Sequence, residues 1–119
     1  MQVTLNSLIL SLIFSLKAKH FKLQLSWSRI QPLGVGQFNN KGIQHYHNVI
    51  DAYQTAGITL LVELYHWDLP QPLQDLGGWL NPDIIKKFGA YADKCFKEYG
   101  NKVNIVHFMK VKSNQISFI

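Results

Sequence analysis

Residues 58–64, Ile-Thr-Leu-Leu-Val-Glu-Leu, constrain the fold more than any other stretch of this chain. A strand with one wet face alternates polar and apolar residues, whereas a nearly continuous apolar run reads as a strand buried on both faces. Such strands belong to parallel sheets covered by helices. The flanking segments fit that architecture. Residues 21–30 alternate, with Leu23, Leu25, Trp27 and Arg29 on one face and Lys22, Gln24, Ser26 and Ser28 on the other, which predicts a strand broken by Pro32, Gly34 and Gly36. Past Asn39 and Asn40, either of which suits a helix cap, Ile43, Tyr46, Val49, Ile50 and Tyr53 recur at helical spacing up to Gly57.

A loop containing Pro70, Pro72, Gly77 and Gly78 follows the apolar run. Asn81 then offers a cap, Pro82 suits a first helical position, and Asp83 complements the helix dipole. Ile84, Ile85, Phe88, Tyr91, Ala92, Cys95, Phe96 and Tyr99 make a long apolar stripe that stops at Gly100, and residues 103–109 read as a third strand. The expected order is strand, helix, strand, helix, strand, joined by right-handed crossovers in an α/β fold. Periodicity alone leaves an open doubly wound sheet and a slice of a (β/α)8 barrel equally available.

With 47% apolar and 16% charged residues the composition is that of a globular chain. The excess of 12 Lys and Arg over 7 Asp and Glu is spread from Lys17 to Lys112 instead of clustering, which argues against a nucleic-acid footprint. Cys95 has no second cysteine to pair with and sits among apolar residues at helical spacing, as a buried inert thiol does. The first 20 residues include Leu8, Ile9, Leu10, Leu12, Ile13, Phe14 and Leu16, a run too short to span a bilayer as a helix. A weak signal peptide, a buried helix and an aberrant first exon all fit that segment. It tilts the compartment toward secreted or lysosomal over cytoplasmic without settling it.

Chemistry concentrates in Leu64-Tyr65-His66-Trp67-Asp68-Leu69-Pro70, which sets an imidazole, an indole and a carboxylate at the C-terminal end of the apolar strand, where α/β proteins bind ligands. A polar side chain beside an aromatic face suits a sugar, whose hydroxyls hydrogen-bond while its C–H surface packs on the ring. Taken alone, however, a His-Trp pair is more often a packed indole beside a satisfied histidine.

Three motifs in order change that weighting. Leu25-Ser26-Trp27-Ser28-Arg29-Ile30, the run from Tyr65 through Pro70 and on to Asp75, and Gly77-Gly78-Trp79-Leu80-Asn81 closely resemble signatures of family 1 glycoside hydrolases at that family's spacing. The likeness runs from about Phe21 to about Val106. It implies a partial (β/α)8 TIM barrel, about strands 2 to 4 with two intervening helices, made by residues 21–109, with residues 1–20 an apolar lead-in and 110–119 an unmatched tail. By the same resemblance His66 binds a hydroxyl of the non-reducing sugar, Trp67 lines that subsite, and Arg29 supports the catalytic nucleophile. A salt bridge at the barrel mouth is an equally good reading of Arg29. Asp68 shapes the loop, while Trp27 and Trp79 pack.

The resemblance also implies double displacement on β-glycosides without metal or organic cofactor, through two carboxylates about 5 Å apart. The Asn-Glu-Pro motif that carries the acid/base residue does not occur in residues 103–112, and the Glu-Asn-Gly motif of the nucleophile is not in the chain. No residue is therefore assigned as catalytic and none as a metal ligand. The only glutamates are Glu98, expected on a surface helix, and Glu63, where the family commonly has threonine. Strand parity sets Glu63 on the side opposite His66, as an exposed or salt-bridged carboxylate. The expectation is a fragment of a β-glucosidase-like hydrolase, from a truncated gene model or transcript and inactive by itself. The alternative is a non-catalytic sugar-binding or interaction fragment, self-associating through open sheet edges.

Overall fold

In the computed structural model the described residues are 5–103 and 105–107, and they form a three-stranded parallel sheet with helices between its strands. The elements are α1 (Leu5–Ser15), β1 (His20–Gln24), α2 (Trp27–Ile30), α3 (Asn40–Thr55), β2 (Thr59–Glu63), α4 (Gln71–Asp75), a 3-10 turn (Gly78–Leu80), α5 (Ile84–Tyr99) and β3 (Ile105–His107). The strands lie side by side in the order β1-β2-β3, with His20 opposite Thr59, Gln24 opposite Glu63, and Glu63 opposite His107. Consecutive strands thus neighbour each other with a helix in each crossover, the repeating unit of a (β/α)8 barrel. The end of the expected third strand, residues 108 and 109, and the tail 110–119 lie outside the described residues.

The apolar run forms β2 as its pattern requires. Leu60, Val62 and Leu64 are buried, and Val62 and Leu64 lie with Cys95 and Tyr99 of α5 on the helix-covered face. Helix α3 begins at the Asn39 cap, whose side chain accepts from Lys41 N, and ends before Gly57, which takes the positive φ of 75° that closes it. Its Ile43, Tyr46, Val49, Ile50 and Tyr53 are all buried. Gly42 is required at the α2–α3 contact, because any Cβ there would run into the Arg29 carbonyl oxygen.

Three expectations need correction. The strand predicted over residues 21–30 ends at Gln24, because Ser26 caps a helical turn by accepting from Arg29 N at 3.2 Å. Trp27 and Ile30 are then buried at helical spacing, a pattern that alternation had mistaken for extended chain. Helix α5 starts at Ile84 and not at Pro82, since the Asn81 side chain accepts from Asp83 N and holds those residues in a turn. Its stripe is narrower than the sequence implied: Ile85 and Phe96 are exposed. The apolar lead-in is helical and only partly covered, with Ile13 buried while Leu8, Leu12, Phe14 and Leu16 stay in solvent.

Aromatic packing joins sheet to helices. Trp27 is fully buried, stacked on Tyr91 at 4.9 Å and met edge-on by Phe88, while Phe21 of β1 stacks on Tyr53 of α3 at 4.8 Å. The Trp27 indole donates to Gln31, and Gln31 in turn donates to the Gly36 carbonyl, so the polar atoms in this layer are satisfied.

Candidate functional site

The ends of β1 and β2 place a polar cluster on the sheet face opposite the helices. Lys22 lies opposite Leu61, and the diagonal neighbour two residues on is Glu63, within reach of a long side chain. Lys22 Nζ lies 2.7 Å from Glu63 Oε2, and His66 Nδ1 lies 2.9 Å from the same oxygen. Glu63 is wholly buried, whereas the Lys22 side chain is 41% exposed and that of His66 33% exposed.

This contact overturns the parity expectation that set Glu63 and His66 on opposite sides. Alternation holds only while the chain is extended, and β2 ends at Glu63. The backbone then turns through Leu64 and Tyr65, bringing the imidazole three residues on back over the carboxylate. Burial alone would push the Glu63 carboxyl up; the hydrogen bonds and charges of Lys22 and His66 outweigh it and hold the group below its ordinary value. Its other oxygen, Oε1, is buried without a hydrogen-bond partner among the described residues.

The loop after β2 is built to present Trp67. The Asp68 carboxylate accepts from His66 N at 3.2 Å, closing a short turn over Trp67, whose φ is 72°. Asp68 thus shapes the loop, and the indole it arches is 41% exposed. Behind the loop, Tyr91 donates to the Leu64 carbonyl at 2.7 Å, and Trp79 donates from its indole to the Tyr65 hydroxyl at 2.9 Å. These aromatic supports fix the start of the Tyr-His-Trp-Asp segment, and the Asp68 carboxylate on His66 N holds its end.

The structure joins His66 to Lys22 through Glu63 Oε2, with Trp67 at the next position of the turn. The Arg29 guanidinium lies 3.0 Å from His45 Nε2 and over the Tyr46 ring, both on α3, and the lysine paired with Glu63 is Lys22. Neither a carboxylate at Arg29 nor a carboxylate beyond Glu63 at the cluster appears among the described ion pairs. Sequence reasoning missed Lys22 and the linking role of Glu63. Their signal was present in the register of the two strands, which no single strand discloses. Glu98 sits on α5 as expected, paired with His47 and Lys94. Among the described residues no group of three or more His, Cys, Asp or Glu side chains is placed to hold a metal ion, and no helix is long and apolar enough to cross a membrane.

Comparison with known proteins gives a consistent result. The model of glycosyl hydrolase family 1 matches residues 8–116, a wider span than the three motifs cover. Lactase/phlorizin hydrolase of Rattus norvegicus is 45% identical over 95 residues, 79% of this chain and 5% of that protein. Beta-glucosidase 6 of Oryza sativa subsp. japonica is 51% identical over 84 residues, 70% of this chain and 16% of that protein. Among solved structures, the rice Os3BGlu6 β-glucosidase superposes with a TM-score of 0.81 at 44% identity, covering 83% of this chain and 21% of that one. The family 1 β-glucosidase of Thermotoga maritima gives 0.83 at 38% identity, covering 85% and 23%. The chain spans under a quarter of the length of each of these relatives.

Proposed function

The chain belongs to glycosyl hydrolase family 1, and from that premise we propose that it carries part of the sugar-binding rim of a retaining β-glucosidase-type enzyme. The observation that carries this reading is the end of β2, where a partly exposed imidazole and a partly exposed indole sit side by side on a braced turn. His66 hydrogen-bonds a hydroxyl of a terminal β-glycoside, and Trp67 covers its C–H face. Arg29 contributes at a distance, by fixing the α2–α3 corner through His45 and Tyr46.

Hydrolysis by double displacement needs an acid/base carboxyl and a nucleophilic carboxylate about 5 Å apart. The two glutamates of this chain are committed elsewhere, Glu63 to Lys22 and His66, and Glu98 to His47 and Lys94. The 119-residue chain by itself therefore binds glycosides without cleaving them. Titration with methyl β-glucoside tests this: saturable binding, selective over the α-anomer and lost in His66→Ala, is expected. Turnover of an aryl β-glucoside that disappears on changing Glu63 would overturn it.

One observation also favours self-association. Strands β1 and β3 each have a single described neighbour, and a parallel strand edge left open pairs readily with another chain. Sedimentation as a concentration-independent monomer would exclude that reading.

A further inference from the structure

The hydrogen-bonding of Glu63 constrains His66 beyond its place in the sugar subsite. Oε2 of Glu63 lies within 2.9 Å of two nitrogens at once, Lys22 Nζ and His66 Nδ1. An ammonium only donates, so the Oε2 lone pairs are the acceptors on that side. Those same two contacts outweigh burial and hold the carboxyl below its ordinary value, in its ionised form at neutral pH. An ionised carboxylate oxygen has no hydrogen to give, so Nδ1, at 2.9 Å from it, must carry the hydrogen of that bond.

We propose that Glu63 is a positioning residue that locks neutral His66 in its Nδ1-protonated tautomer, making Nε2 a hydrogen-bond acceptor for a sugar hydroxyl that must donate. The proposal rests on the glycoside-binding reading for its ligand, and on the contacts of the ionised Glu63 carboxylate with Lys22 and His66 for its tautomer. Lys22 completes the lock by compensating the buried negative charge, and Asp68 holds the ring's backbone from the other side through His66 N. A threonine in place of Glu63 could donate or accept, and so would leave the ring free to choose; a carboxylate removes that choice.

Long-range proton–nitrogen NMR on the full chain, with His66 assigned by loss of its signals in His66→Gln, reads the tautomer directly. At a pH where the ring is neutral, a protonated Nδ1 and a bare Nε2 are expected, and the reverse pattern overturns the proposal without recourse to any variant. Glu63→Thr should raise the Nε2-protonated fraction; an unchanged ring would remove Glu63 from the role. Should that variant fail to fold, Glu63→Ala, which removes the acceptor altogether, should show the same trend, with the same overturning result.

The acceptor role is tested with methyl β-glucosides in which each hydroxyl in turn is removed or replaced by fluorine, which accepts but cannot donate. At the contacted position both changes should weaken binding equally, by about three- to tenfold, the worth of one hydrogen bond. Rescue by fluorine over the deoxy compound would overturn the acceptor assignment. Absence of any glucoside binding would sink the function proposed above while leaving the tautomer result standing, so the two failures are distinguishable.

Discussion

The two faces of β2 solve opposite problems. On the helix side, Leu60, Val62 and Leu64 are buried in a layer where Trp27, Phe88 and Tyr91 stack and the Trp27 indole and Tyr91 phenol each have a hydrogen-bond partner. On the other side, Glu63 is just as buried, yet it draws two polar side chains onto one oxygen and leaves the second unmatched among the described residues. The first face is organised for stability, the second for holding an imidazole in a chosen state. Residues adjacent in sequence can thus serve different ends because a strand sends them to different environments.

The strongest challenge to that contrast is Trp27→Ala. Emptying the fully buried site against Tyr91 should cost about 3–5 kcal/mol in denaturant unfolding, and a loss under 1 kcal/mol would mean the aromatic layer is not the structural face. Lys22→Met comes next. It leaves Glu63 buried with His66 as its described partner, and because Lys22 is partly exposed a loss of about 1–2 kcal/mol is expected. A Lys22/Glu63 double-mutant cycle should show coupling, and additivity would break the comparison.

Acid should separate the faces further. Glu63 titrates below its ordinary value of 4.5 in the folded chain, so its contribution is present above that value and is lost as pH falls through the lower folded one. Glu98 is shifted in the same direction by His47 and Lys94. Melting temperature should therefore fall on acidification in the native chain and less steeply in Glu63→Gln; parallel curves would remove Glu63 from the acid response. The smallest effect expected is that of Arg29→Ala, about 0.5 kcal/mol of stability with glucoside affinity unchanged, since its contacts lie on α3. A marked affinity loss would bring Arg29 back to the sugar. On the structural face, Cys95 should resist thiol reagents until the chain unfolds, because burial pushes its thiol up to about 12.

How far the sequence could be read follows from how local each determinant is. The buried strand, the stripe of α3 and the Asn39 cap depend on residues within a few positions of one another, and they were legible. His66 and Trp67 were legible as a pair because they adjoin at a strand end. The Lys22–Glu63 contact was not, since it depends on which residue of β1 stands beside which residue of β2. The relation of Glu63 to His66 was misread because parity was carried past the point where the strand stops. Ser26 looked like a residue in an alternating strand, and only its hydroxyl on Arg29 N shows that the chain had begun to coil.

The turn at Trp67 has a consequence for how this segment would fare under selection for ruggedness. A tryptophan at positive φ stands about 1–2 kcal/mol above a relaxed backbone. A library screened for heat resistance alone would drift toward glycine at this position, and the improved variants would have surrendered the indole surface beside His66. Thermal hardiness and display of that ring are drawn in opposite directions by one dihedral angle, so in this loop the most robust chain and the most useful one are different molecules.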